Sequence, residues 1–97
     1  MGLIHYESDF DKLIEKEAVV DFYATWCGPC KMFGPVFEEV ATNMDINFVK
    51  IDVDKNSEIA REYGVMTIPT VILFKDGKEV KRNIGFMSND ELTEFLK

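Results

Sequence analysis

The run Ala18-Val19-Val20-Asp21-Phe22-Tyr23-Ala24 is apolar at every position but one, Asp21, so neither of its alternating faces reads as a water-facing face. A strand exposed on one side alternates apolar with polar residues, whereas a strand covered on both sides is a near-continuous apolar run. This segment is therefore expected to be the central strand of a sheet with helices packed on both faces. That restricts the chain to an α/β layer architecture.

The rest of the sequence supplies the layers. Leu3 to Tyr6 reads as a short strand, and Ser8 as a candidate N-cap ahead of Phe10, Leu13 and Ile14 at helical spacing. From about Cys27 to Met44, the residues Met32, Phe33, Val36, Phe37, Val40, Ala41 and Met44 form one stripe of period 3.6, a long amphipathic helix. Pro35 falls inside it, where its missing N–H and its clash with the Lys31 carbonyl lead us to expect a kink. Ile46 to Val53 is a third strand, and Asn56 or Ser57 caps a short helix that Gly64 ends. Thr70 to Lys75 and Lys78 to Ile84 are strands joined by Asp76-Gly77, a two-residue hairpin signal that makes them antiparallel. Ser88 to Glu91 reads as a capping box before Leu92, Phe95 and Leu96. The order is βαβαβαββα: a central mixed five-stranded sheet flanked by four helices, with parallel crossovers at the start and an antiparallel edge at the end.

Length and charge then narrow the function. At 97 residues the chain is expected to be one domain, because two cores of half this size could not offset the entropy of folding; a monomer is also expected. Eighteen acidic against 11 basic residues give a net charge of −7, which repels a phosphate backbone, so nucleic acid is not an expected partner. Apolar runs such as Thr70 to Phe74 are too short to cross a bilayer, and Met1 to Phe10 lacks the basic start and apolar stretch of a signal peptide. Gly2 invites an N-myristoylation reading, but Tyr6 stands where that motif requires Ser or Thr. A cytoplasmic location is expected. The two cysteines, Cys27 and Cys30, cannot form the multi-bridge framework of small secreted domains, so they are read as chemistry.

Trp26-Cys27-Gly28-Pro29-Cys30-Lys31 falls where the central strand gives way to the long helix. Residues three apart on a helix share a face, with Cβ atoms about 5–6 Å apart, so the two sulfurs can bond and separate with small adjustment. At the helix N-terminus, unpaired N–H groups and the positive end of the macrodipole favour a thiolate on Cys27. Since the thiolate is the attacking species, Cys27 is the expected nucleophile, while Cys30, shielded one turn further in, is placed to resolve the mixed disulfide. Zinc is the rival use of such a pair. Here a single histidine, His5, and no second cysteine pair leave the ligand set short, so no metal is expected. A merely structural disulfide is also a weak reading, because closing so short a loop removes little entropy from the unfolded chain.

Across essentially its whole length the sequence resembles the thioredoxin family. The resemblance rests on Val20 to Lys31, on Pro35, on Asp52-Val53-Asp54, on Ile68-Pro69-Thr70, on Phe74-Lys75-Asp76-Gly77 and on Gly85, in matching order and spacing. It implies a thioredoxin fold and reversible disulfide exchange through Cys27 and Cys30, with no bound cofactor beyond the redox-active disulfide. Asp21 matches the family's buried carboxylate, which relays a proton to and from the resolving thiol. Burial among Val19, Val20, Phe22 and Tyr23 would raise its pKa accordingly, although an Asp held only by backbone hydrogen bonds would look the same in sequence. Lys50 resembles the lysine that accompanies that carboxylate, whereas a strand-end lysine read by itself extends its ammonium into water.

Most X–Pro bonds are trans, and the residues alone would give that for Pro69. The resemblance implies a cis bond against the cysteines, with the backbone of Ile68 pairing to substrate. It further implies that Trp26, Gly28, Pro29, Ile68, Pro69 and Gly85 form a flat, largely apolar docking surface around Cys27, although Trp26 taken alone reads as a partly buried aromatic. Two positions depart from the family pattern: Tyr23, where many members have Trp, and the bulky Phe86-Met87 after Gly85. The sequence has no nucleotide-binding glycine motif, so electrons must arrive from a partner. The implied partner is a flavin-dependent thioredoxin reductase or a ferredoxin-linked equivalent, and the implied recipients include ribonucleotide reductase, peroxiredoxins and methionine sulfoxide reductases. Two other readings stand beside this one: a redox-independent binding subunit using the same surface, and a protein oxidase or isomerase, which Gly28-Pro29 disfavours.

Overall fold

The computed structural model describes residues 3–97, so Gly2 and the acylation reading attached to it lie outside the described residues. The elements are β1 (Leu3–His5), α1 (Phe10–Leu13), β2 (Glu17–Tyr23), α2 (Gly28–Ala41), β3 (Asn47–Asp52), α3 (Ser57–Glu62), β4 (Thr70–Lys75), β5 (Lys78–Ile84) and α4 (Asn89–Phe95). They form one five-stranded sheet in the order β1-β3-β2-β4-β5, with β2 at its centre as its apolar run requires. β1, β3 and β2 are parallel, β4 is antiparallel to β2, and β5 is antiparallel to β4. The antiparallel component therefore begins inside the sheet, at the β2–β4 pair, and not only at the closing hairpin.

Strand parity divides the core in two. Val19, Phe48, Val71 and Leu73 pack with Phe33, Phe37, Val40 and Ala41 of α2 and with Leu92 of α4. Ala18, Val20, Phe22, Val49, Ile51, Ile72 and Phe74 point the other way, toward Phe10, Ile14 and Ala60 of the α1 and α3 layer. Two residues on from Val19, Asp21 and then Tyr23 are thereby directed to the α2 side of the sheet, and two residues on from Phe48, so is Lys50. This alternation delivers the polar residues of β2 and β3 to the layer that carries the cysteines.

Local chemistry sets the ends of the elements. Asp76 and Gly77 both have positive φ, 55° and 79°, as a two-residue hairpin turn matching the twist of its strands demands. Val80 is the extra residue where the β4–β5 register shifts, an irregularity on an edge strand that discourages further pairing. Both halves of the α4 capping box form: the Glu91 N–H donates to Ser88 Oγ at 3.2 Å and the Ser88 N–H donates to Glu91 Oε1 at 2.9 Å.

Two local expectations need correction. Ser8 does not cap α1. Asp9 takes the N-cap position in the left-handed conformation (φ 62°), makes no side-chain cap bond, and closes the turn through its carbonyl, which accepts from the N–H groups of Lys12 and Leu13. The long helix is also shorter than the apolar stripe. It runs unbroken through Pro35 but ends at Ala41, while Met44 packs against the core from the following turn.

Candidate redox site

The β2–α2 junction is tight. The Cys27 N–H donates to the Ala24 carbonyl at 3.3 Å, Cys27 itself is the extended N-cap of α2, and Gly28 and Pro29 form the exposed first turn. Pro29 costs the helix nothing there, since the first-turn N–H groups have no intrahelical partner. The cysteine side chain stands where a capping oxygen usually stands, and its Sγ accepts the Cys30 N–H at 3.2 Å. A sulfur that accepts a backbone N–H at a helix N-terminus is one whose negative charge is stabilised.

Cys27 and Cys30 are joined as a disulfide with Cα atoms 5.2 Å apart. The two are almost equally buried, 5% and 6% exposed, so Cys30 is not the only shielded member of the pair. Position relative to the helix end distinguishes them, not exposure. Ala24, Tyr23, Val53 and Ile68 pack around them, and the Ile68 carbonyl oxygen lies 3.8 Å from Cys27 Sγ.

Asp21 is 1% exposed, and its Oδ1 has no hydrogen-bond partner. This removes the reading in which neighbouring backbone groups satisfy it. Loss of hydration pushes its carboxyl up to about 7, with the Lys50 ammonium pulling in the opposite direction. Lys50 lies inside β3 opposite Asp21, and its side chain is only 12% exposed, so the solvent-directed reading of this lysine fails. Its ammonium is 3.6 Å from Glu38 and 4.8 Å from the centre of the Tyr23 ring. Partial burial, with Asp52 and Asp21 nearby, raises the Tyr23 phenol above its ordinary range.

The residues expected to form a docking surface come from three segments of the chain: the β2–α2 junction, the loop before β4 and the residue after β5. The Ile68–Pro69 bond is cis, as the resemblance implied and unlike most X–Pro bonds. The Gly85 N–H donates to the Pro69 carbonyl at 2.8 Å, and Gly85 has φ 104°, a conformation that a side chain would strain. Trp26 is 68% exposed, not a partly buried aromatic, and its indole N–H donates to Asp54 Oδ2 at 2.8 Å. Phe86, next to Gly85, remains 46% exposed and stands edge-on to Phe33. Sequence reasoning misses Asp54 and Glu38 as site residues. Asp54 lies within a matching motif but carries no chemical signal of its own, and Glu38 reads as an ordinary acid on a solvated helix face.

Among the described residues, no group of three or more His, Cys, Asp or Glu side chains could hold a metal ion, and no helix is long and apolar enough to cross a membrane. The thioredoxin family model matches residues 3–97. The chain belongs to the thioredoxin family. A thioredoxin of Mycoplasmoides gallisepticum is 53% identical over 100 residues, covering all of both chains, and one of Staphylococcus epidermidis is 50% identical over 93 residues, covering 93% of this chain and 89% of that one. Among solved structures, a mutant thioredoxin from Halobacterium salinarum superposes with a TM-score of 0.90 at 37% identity, covering 97% of this chain and 87% of the other. A thioredoxin from Nicotiana alata superposes at 0.85 with 44% identity, covering 97% and 89%. As a thioredoxin-family member with a bonded Cys27–Cys30 pair at the helix N-terminus, the chain is a thiol–disulfide oxidoreductase. Membership implies disulfide-containing targets and a reductase that restores the dithiol.

Proposed function

We propose that this single-domain, monomeric, cytoplasmic thioredoxin-family protein is a general reductant of protein disulfides. The Cys27 thiolate attacks a target disulfide, forming a Cys27 mixed disulfide and releasing the first target sulfur, which takes up a proton. Cys30 then gives its proton to the Asp21 carboxylate and attacks Cys27 Sγ. The bond to the target breaks, the second target sulfur leaves with the electron pair and is protonated, and two electrons and two protons have moved from the dithiol to the target. Asp21 and its companion Lys50 serve this proton transfer, while Trp26, Gly28, Pro29, Ile68, Pro69 and Gly85 receive an extended target backbone. Re-reduction falls to a thioredoxin reductase, and ribonucleotide reductase, peroxiredoxins and methionine sulfoxide reductases are the proposed recipients. No cofactor beyond the disulfide takes part.

The observation that carries this reading is the Cys30 N–H directed at Cys27 Sγ from the first turn of α2, which marks Cys27 as the sulfur whose anion is stabilised. The test uses insulin as target and dithiothreitol as electron source. Cys27→Ser is expected to abolish reduction, and Cys30→Ser to accumulate a mixed disulfide through Cys27. Iodoacetamide titration of the reduced protein should find Cys27 ionising below the usual range of a free thiol near 8.5. If Cys27→Ser/Cys30→Ser complements loss of the wild-type protein in the cell fully, the redox-independent binding reading takes its place.

A further inference from the structure

Between β2, the first turns of α2 and β3 lies an open cleft of about 320 Å³, lined by Tyr23, Cys30, Gly34, Glu38 and Lys50 among others. The Lys50 ammonium is fixed in it from three sides. Glu38 pairs with it at 3.6 Å, the Tyr23 ring lies 4.8 Å from it, and Gly34 borders it at a distance where a Cβ would make ordinary contact with the nitrogen, 3.5 Å. The β2–β3 register sets Lys50 directly opposite Asp21, yet the ion pair it makes is with Glu38, and Asp21 Oδ1 has no partner.

The choice of partner has a chemical consequence. A carboxylate tied to an ammonium is held ionised and is a weak proton acceptor, whereas one buried with no cation nearby stays protonated and accepts nothing. We propose that Glu38 is a positioning residue for the resolving step, anchoring the Lys50 ammonium in the cleft beside Cys30 and so keeping it from closing onto Asp21. This rests on the reading of Asp21 as the acceptor of the Cys30 proton. The charged and titratable groups around the pair are Tyr23 on β2, Cys27, Cys30, Lys31 and Glu38 at the start and middle of α2, and Lys50 and Asp52 on β3. From β4 the register partner of Asp21 is the apolar Val71. Among the described residues, Lys50 is the cation in register with Asp21, and Glu38 is its ion-pair partner.

Two readouts test the proposal. In the reduced protein with ¹³C-labelled Asp, the Asp21 carboxyl is titrated by NMR. In stopped-flow reduction of dithionitrobenzoate, the first thionitrobenzoate released reports attack by Cys27 and the second reports resolution by Cys30. Glu38→Gln, at a half-exposed position that tolerates the change, is expected to lower the Asp21 midpoint by about half to one unit as Lys50 swings inward. The pH profile of the second phase moves with it, and that of the first does not. Lys50→Met, or Lys50→Gln if the former does not fold, raises the midpoint and reduces the Glu38→Gln displacement to less than about a third, because the coupling runs through the lysine. A Glu38→Gln displacement below about 0.2 units, or one of full size in the Lys50 variants, overturns the proposal. If Asp21→Asn resolves as fast as wild type, the acceptor role fails and the proposal with it. That failure is separable, because the NMR titration reads the Glu38–Lys50 arrangement in chains that keep Asp21.

Discussion

Replacing Asp21 by Asn keeps the shape of the side chain and removes its charge, so it isolates what ionising that group costs the fold. Unfolded, the carboxyl titrates near its ordinary 3.8; folded, burial holds the proton until about 7. Between those values the native state binds the proton that the unfolded chain has released. Stability is therefore fully present below the unfolded pKa and falls as pH rises, levelling off above the folded value. The gap amounts to about 4 kcal/mol at alkaline pH, of which roughly 2 kcal/mol is already lost at pH 5. The Asn side chain adds its own offset for an amide without a partner, but that offset does not vary with pH. The quantity to measure is the change in the difference between variant and wild type from pH 5 to pH 8, for which we expect about 2–3 kcal/mol in favour of Asn. Urea unfolding of the disulfide-intact proteins is the assay, because thiols that titrate with Asp21 would blur the result. With a urea dependence of about 1 kcal/mol per molar for so small a chain, the midpoints should separate by a further 2 M or more between the two pH values. A difference constant to within about 0.5 kcal/mol would refute a carboxyl pushed up by burial.

Three further outcomes follow from the packing. Phe37, fully buried on α2 against the Phe48 ring of β3, is expected to cost about 3–5 kcal/mol when changed to Ala, measured by the same urea titration at neutral pH; a loss below 1 kcal/mol would mean the α2 face repacks freely. Gly77→Ala should lose about 1–2 kcal/mol although open space surrounds the position, because φ there is +79°, and an unchanged thermal midpoint would contradict the turn geometry. Phe86→Ala removes a half-exposed ring next to Gly85 of the proposed docking surface, so kcat/KM should change unequally between insulin and a folded disulfide client. Equal rates with both would take Phe86 out of partner choice.

Much of the fold was legible because it depends on periodicities that the chain carries locally. The two-sided apolar run at Val19 to Phe22 placed β2 at the centre, and the stripe from Phe33 to Ala41 placed α2 on one face of the sheet. Asp76-Gly77 specified its own turn, since the positive φ it needs is a property of those two residues. Boundaries were less legible. Ser8 has the chemistry of a cap but not the backbone, and Met44 continues the stripe after the helix has stopped, because side-chain character alone does not say where the hydrogen-bond ladder ends.

The redox pair was determined by sequence alone, because two cysteines three apart after a strand have little other chemistry open to them in a chain with one histidine. What surrounds the pair was decided by the tertiary structure. The isolation of Asp21, the turning of Lys50 from water toward Glu38, and the bond from Trp26 to Asp54 join residues 12 to 29 positions apart, and all depend on which strand lies beside which. Hydration and charge are felt through space, so whether a carboxylate is stranded or satisfied, and which acid a lysine chooses, is fixed only once the sheet is assembled and α2 closes over it.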